Sequence, residues 1–157
     1  MISMFRRSAL LACVLAAFGF GARAELASFA KSPLVIDTSA GPQHFTVDLA
    51  LSPEQQQQGL MFRQSLAADA GMLFDFGDTR PVTFWMRNTL IPLDMLFIAA
   101  DGHVADFHER AVPLSEAVIE SKVPVRAVLE LNGGSVARLG IHRGDLVHHA
   151  IFGTAGG

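Results

Sequence analysis

The hydrophobic pattern of this chain has mostly the two-residue period of strands. His44 to Leu51 alternate, with Phe45, Val47 and Leu49 on one face and His44, Thr46 and Asp48 on the other. Leu34-Val35-Ile36 precede them, and Ser39-Ala40-Gly41-Pro42 supply turn chemistry between the two, which predicts a first hairpin. Gly71 to Phe76, Val82 to Met86, Leu93 to Ala99, His103 to Phe107, Val125 to Leu131 and Leu146 to Phe152 are further short apolar or alternating runs bounded by turn residues. Asp101-Gly102 makes a tight turn, so the runs on either side of it should pair antiparallel.

Two stretches read as helices instead. Ser52-Pro53-Glu54-Gln55 offers a capping serine, a proline at the first helical position and a glutamine that completes a capping box. This predicts a helix that runs through Gly59 and ends near Arg63. Ser135 to Leu139 should form a second, stopped by Gly140 as a left-handed cap with Ile141 as its apolar follower. Closely spaced hairpins with little room for crossovers imply an α+β, β-rich compact single domain: mainly antiparallel strands in a small, partly open barrel with two short helices.

The ends of the chain read differently. Arg6 and Arg7, the apolar run Ser8 to Phe20 and the small-x-small triplet Ala22-Arg23-Ala24 predict a signal peptide over residues 1–24. The apolar run is shorter than the ~20 residues a membrane span needs. The expectation is therefore a periplasmic or secreted protein with no stable membrane insertion after cleavage. A flexible leader (25–33), a single domain (34–152) and a disordered tail (153–157) complete the expected organisation. Cleavage would remove the only cysteine, Cys13, and three of the 12 basic residues, leaving 9 against 15 acidic ones, a formal charge of −6. An acidic domain without a basic cluster is a poor nucleic-acid binder, and one without cysteine performs no thiol chemistry.

Several segments together form a signature: Gly59-Leu60-Met61-Phe62-Arg63, Gly71-Met72-Leu73-Phe74, Phe84-Trp85-Met86-Arg87-Asn88-Thr89, Pro92-Leu93-Asp94, Val128-Leu129-Glu130-Leu131, Gly140-Ile141 and Gly144-Asp145. In these, residues 34 to 152 resemble the family catalogued as domain of unknown function 192, also called the uncharacterised ACR family. The resemblance implies a compact mixed domain, often exported. It brings no reaction, cofactor or catalytic residue, so the chemistry must come from the residues.

The densest chemistry lies in Phe84 to Ile98. Asp94 shares a strand face with Leu96 and Ile98, and a carboxylate there is costly unless paired. Arg63, Arg87 or the loop around Asn88 should hold it. Two readings stay open. In one, an Arg–Asp pair fixes strand register. In the other, Arg63, Trp85, Met86, Arg87, Asn88 and Asp94 form a ligand site, with Asp94 as candidate acid or base. Asp75 and Glu130 rank behind Asp94 for that role. Trp85 suits a core position or a stacking platform. Met61, Met72, Met86 and Met95 lack the clustering of a copper site, and the histidines do not group as zinc ligands. No Gly-x-Ser-x-Gly elbow is present. Gly133-Gly134-Ser135, at a helix start, could hold an anion on free N–H groups. A dinucleotide fold is excluded for want of a βαβ unit. No metal and no cofactor is expected. The function classes that remain are a small-ligand binding module of the cell envelope, an envelope hydrolase or lyase using Asp94, and an accessory protein that binds another envelope protein by an exposed strand edge.

Overall fold

The computed structural model of the chain describes residues 26–155. The expected signal peptide (1–24), Glu25 and the last two residues lie outside them. The hairpin β1 (Ala30–Thr38) and β2 (Gly41–Ala50) comes first, followed by helix α1 (Pro53–Gln58) and β3 (Ala70–Arg80). Then come β4 (Thr83–Phe84), β5 (Leu93–Ile98), β6 (Val104–Ala111), β7 (Ile119–Glu120), β8 (Val125–Asn132), α2 (Ser135–Leu139) and β9 (Leu146–His148). A 3-10 turn at Ala150–Phe152 ends the fold.

Seven strands form one curled sheet in the order β6-β5-β8-β3-β2-β1-β9, and β4 pairs with β7 apart from it. An isolated bridge between His103 and Leu146 brings β9 back to the start of β6. Hydrogen bonds from Val104 N to Asp145 O and from Val147 N to Gly102 O, both 2.9 Å, support that closure. The sheet is thus the mostly antiparallel, partly open barrel that the strand spacing predicts.

Two apolar cores lie on its two faces. The barrel interior holds Leu34, Ile36, Phe45, Val47, Leu73, Leu96, Ile98, Leu129 and Val147, with Val136 of α2 plugging one end. The outer face carries Met72, Phe74, Met95, Phe97 and Val128, roofed by Leu60, Val82 and Met86 from the loops after α1, β3 and β4. Period-two alternation divides the two sets, and β5 has all six of its residues buried because both of its faces are covered. Among the described residues no helix is long and apolar enough to cross a membrane.

Four expectations change. β2 and β3 pair in parallel across α1, so a small βαβ unit does exist. Its strand-to-helix turn is Leu51-Ser52-Pro53, with no glycine-rich phosphate loop, and the exclusion of a dinucleotide site rests on that instead. Helix α1 ends at Gln58 because Gly59 takes φ 50° as its C-cap. A Cβ there would meet the Phe74 ring at 3.2 Å, so that side chain packs closely against Gly59. Ala30–Pro33, expected in a flexible leader, pair with Val47–Leu49 and Thr46 as the first part of β1. In the expected disordered tail, the Thr154 hydroxyl donates to Val147 O at 2.8 Å and accepts from His149 N at 3.1 Å.

Candidate functional site

Asp94 is fully buried, as its place in an apolar strand requires, but no arginine holds it. Its carboxylate accepts three backbone N–H groups: Arg110 at 2.8 Å, Gly134 at 2.9 Å and Val136 at 2.8 Å. Gly134 has φ 91°, a left-handed conformation that turns its N–H toward the carboxylate at the start of α2. Of the Gly133-Gly134-Ser135 turn only the Gly134 N–H holds an anion, together with Val136 just beyond it, and that anion is the chain's own Asp94; Gly133 N donates to Pro92 O at 2.8 Å instead. The group closes one end of the barrel, and Asp94 lines none of the three clefts described below.

The remaining members of the expected constellation separate. Arg63 pairs at 2.6 Å with Asp48, which also receives Lys31 at 2.7 Å. Burial alone would raise the Asp48 pKa, and the two cations hold it below its ordinary value instead. Met86 is buried in the outer core. Trp85 is 46 % exposed, so the core position does not hold. Arg87 lies over its ring at 4.4 Å and pairs with Glu116 at 3.0 Å. Asn88 adopts φ 57°, accepts from Phe62 N at 2.8 Å, and reaches Met61 Sδ at 3.9 Å. Phe62 (φ 65°) and Leu114 (φ 61°) share that left-handed backbone, and Leu114 N bonds to Thr89 O at 3.1 Å. Each such residue costs about 1–3 kcal/mol and persists only where its surroundings over-determine it. These loops are therefore held in one shape.

That shape encloses a cleft of about 280 Å³ on the outer face. Glu130 lies in its floor, on the same face of β8 as Val128. Phe74, Phe76, Phe84 and Trp85 give it aromatic walls, Leu60 and Met61 an apolar one, and Gln56, Thr83 and Thr89 add polar groups. The Phe74 and Phe84 rings meet edge to face at 5.2 Å. Glu130 is 4 % exposed, and among the described residues no protein donor bonds its carboxyl. Burial alone pushes it up to about 8, so it is protonated at neutral pH. It stands in a row of paired residues across the sheet, Asp48–Met72–Glu130–Met95–His108, with a methionine shielding it on either side.

A shallower cleft of about 470 Å³ adjoins, sharing Gln57, Gln58, Met61 and Trp85 and adding Arg87 and Asn88. A third, of about 560 Å³, lies beside β1 and β9. Its imidazoles are already engaged. His148 bonds Asp37 at 2.7 Å and Thr154 O at 3.0 Å, and the Asp37 carboxylate, followed by that carbonyl, raises its pKa. His149 Nδ1 accepts from Ile151 N at 3.3 Å, which puts its proton on Nε2, facing Ser32 Oγ at 2.9 Å. In that tautomer the imidazole donates to Ser32 and cannot act as its base. Among the described residues no group of three or more His, Cys, Asp or Glu could hold a metal ion.

Sequence reasoning undervalued Glu130. The signal that singled out Asp94, a carboxylate in an apolar strand, is present equally in Val125 to Leu131. What sets Asp94 apart in sequence is only that arginines and an asparagine stand near it.

Comparison with known proteins bears on the fold and the family. A family model described as Uncharacterized ACR, domain of unknown function 192, matches residues 35–149. A crystal structure titled as a putative transcription regulator from Sinorhizobium meliloti 1021 is 54 % identical, covers 80 % of this chain and 98 % of its own, and superposes with a TM-score of 0.77. A protein of unknown function from Novosphingobium aromaticivorans DSM 12444 is 41 % identical over 76 % of this chain and 85 % of its own, with a TM-score of 0.74. No curated protein matches the chain.

Proposed function

The chain belongs to the uncharacterised ACR family, domain of unknown function 192, and we propose that it is a small-ligand binding module whose site is the cleft over Glu130. The observation that carries this reading is Glu130, a nearly buried residue whose carboxyl has no hydrogen-bond partner among the described residues and opens onto the floor of an aromatic cleft. Such a group is costly in a fold that otherwise pairs its buried acids, as Asp48, Asp94 and Asp106 show. A cleft of about 280 Å³ is at the small end of ligand sites and suits a single-ring molecule.

Trp85 is the only tryptophan in the chain and lines the cleft, so its emission reports on occupancy. In a thermal-shift screen of small metabolites, compounds that raise Tm should also change Trp85 fluorescence saturably. Stabilising compounds that leave the emission untouched would move the site elsewhere and end this reading. In the same proposal the module works in the cell envelope, on the strength of the leader-like residues 1–24. Mass spectrometry of the periplasmic fraction should find a mature chain starting at Glu25. Full-length protein retained in the cytoplasm would contradict it.

A further inference from the structure

We infer that the cleft takes a small organic cation, an amine or quaternary ammonium on a single ring, with its nitrogen at the Glu130 carboxylate and its carbon body against the aromatic walls. This deepens the reading of the cleft as a binding site and rests on it.

The hydrogen-bonding inventory gives the first reason. Gln56 donates its amide nitrogen to two backbone carbonyls, Asp75 O at 2.8 Å and Ala50 O at 3.3 Å. Two carbonyl partners leave no doubt which end is nitrogen, so Gln56 has its oxygen left to offer the cleft. Glu130 offers two more oxygens. Among the described residues no lysine, arginine or histidine lines this cavity. The nearest cations, Arg80 and Arg87, stack on the wall rings of Phe76 and Trp85 and lie beside acids of their own, Asp78 at 3.8 Å and Glu116 at 3.0 Å, so an anionic ligand would face the Glu130 carboxyl, whereas a cation meets acceptors. Gln58 differs: its oxygen accepts from Ala27 N at 2.7 Å, which leaves it a donor, but at the edge shared with the neighbouring cleft.

The walls give the second reason. Phe84 packs edge to face with Phe74 and with Phe76 in the wall, and the negative faces of such rings attract a cation whose charge has left water, as Phe76 already does with the Arg80 guanidinium at 5.0 Å. Trp85 already stacks one cation, the Arg87 guanidinium at 4.4 Å. Arg87 belongs to the adjoining cleft and is engaged by Glu116, so it does not neutralise Glu130.

Proton balance follows from the geometry. From β2 the charged neighbours in the row are Asp48 with its Lys31 and Arg63 partners, and from β6 His108; each is two strands away behind a methionine. The β3 and β5 residues directly beside Glu130 are Met72 and Met95, and the loop after α1 presents Leu60 and Met61. With a pKa near 8 the empty site is protonated at pH 7. An entering ammonium stabilises the carboxylate, and the Glu130 proton leaves to solvent. About nine-tenths of a proton should be released per cation bound at pH 7. Affinity should rise about tenfold per pH unit below 8 and level off above it.

The test titrates the full chain with benzylamine and benzyltrimethylammonium, and with benzyl alcohol and benzoate as neutral and anionic counterparts, following Trp85 emission and heat in buffers of low and high ionisation enthalpy. Both cations should bind, with proton release and the pH profile above, and Glu130→Gln should weaken them at least tenfold. The pH profile of the unmodified chain stands on its own if that variant folds poorly. Benzyl alcohol binding as well as benzylamine, or cation binding without proton release, would overturn the inference while leaving the cleft as a binding site. Silence from all four probes would overturn it too; the metabolite screen then decides the cleft reading separately.

Discussion

Asp94 and Glu130 stand on neighbouring strands, one step apart in register. Asp94 pairs with Leu131, and Met95 pairs with Glu130, so the two acids face opposite sides of one sheet. Both are buried in strands that otherwise read as hydrophobic. At the barrel end, three converging backbone N–H groups supply what water would have supplied, and the carboxylate becomes a fixed part of the architecture. On the outer face no donor among the described residues comes to meet Glu130, and the loops that cover it leave a cleft instead of sealing it. Burial is therefore a poor guide to role. What separates a structural acid from a candidate functional one is whether the fold satisfies it.

The sharpest way to break this comparison is Asp94→Asn. The amide retains one acceptor and turns a donor toward N–H groups that cannot accept. A loss of about 3 kcal/mol or more is expected, read as a lower midpoint in urea. Arg63→Gln in the same background should add its own effect without coupling, since Arg63 bonds Asp48 and shares no partner with Asp94. An unchanged midpoint, or strong coupling to Arg63, would return Asp94 to an arginine-held role.

An effect of similar size and opposite sign is expected from Glu130→Met. The folded state keeps the Glu130 proton up to about pH 8, while the unfolded chain releases it near 4.5. Across that window the folded state binds more protons, so this group's contribution is fully present below 4.5 and is lost as pH rises through 8. The variant should therefore gain roughly 2–4 kcal/mol relative to the unmodified chain between pH 5 and pH 9. The difference between the two proteins is the quantity to measure, because His149, whose pKa burial lowers, titrates with the opposite slope. Parallel stability curves would mean that Glu130 is solvated or paired.

Features set by adjacent residues were legible before the fold. The Ser52 capping box forms, with Gln55 N donating to Ser52 Oγ at 3.2 Å and Ser52 N to Gln55 Oε1 at 3.0 Å. Gly140 takes φ 63° and stops α2 where its position predicts. The burial of Asp94 also followed from the strand period. Its partners did not, since they lie 16, 40 and 42 residues along the chain and are backbone groups that carry no residue-type signal. The parallel β2–β3 pair was hidden for a similar reason. Residues 51–69 hold only one short helix, and nothing in that stretch records which strand edge the chain rejoins. Trp85 illustrates a third limit: alternation assigned it to a strand interior, whereas the strand is two residues long and Trp85 falls just beyond it.

The N–H that Arg110 gives to Asp94 has a consequence for how this molecule meets its own kind. β6 is an outer strand of the sheet, joined to β9 only near its first residue. Such a strand is a template on which another chain can add, and so a route to aggregation. Opposite Asp94, β6 carries an extra residue, since Leu93 pairs with Ala111 but Met95 with His108. Arg110 sits in that bulge at φ 51°, with its N–H turned inward. Exposed His108, Glu109 and Arg110 place polar and charged side chains along the same stretch. The acid that closes the barrel end thereby also bends and blunts the one long edge the barrel leaves open.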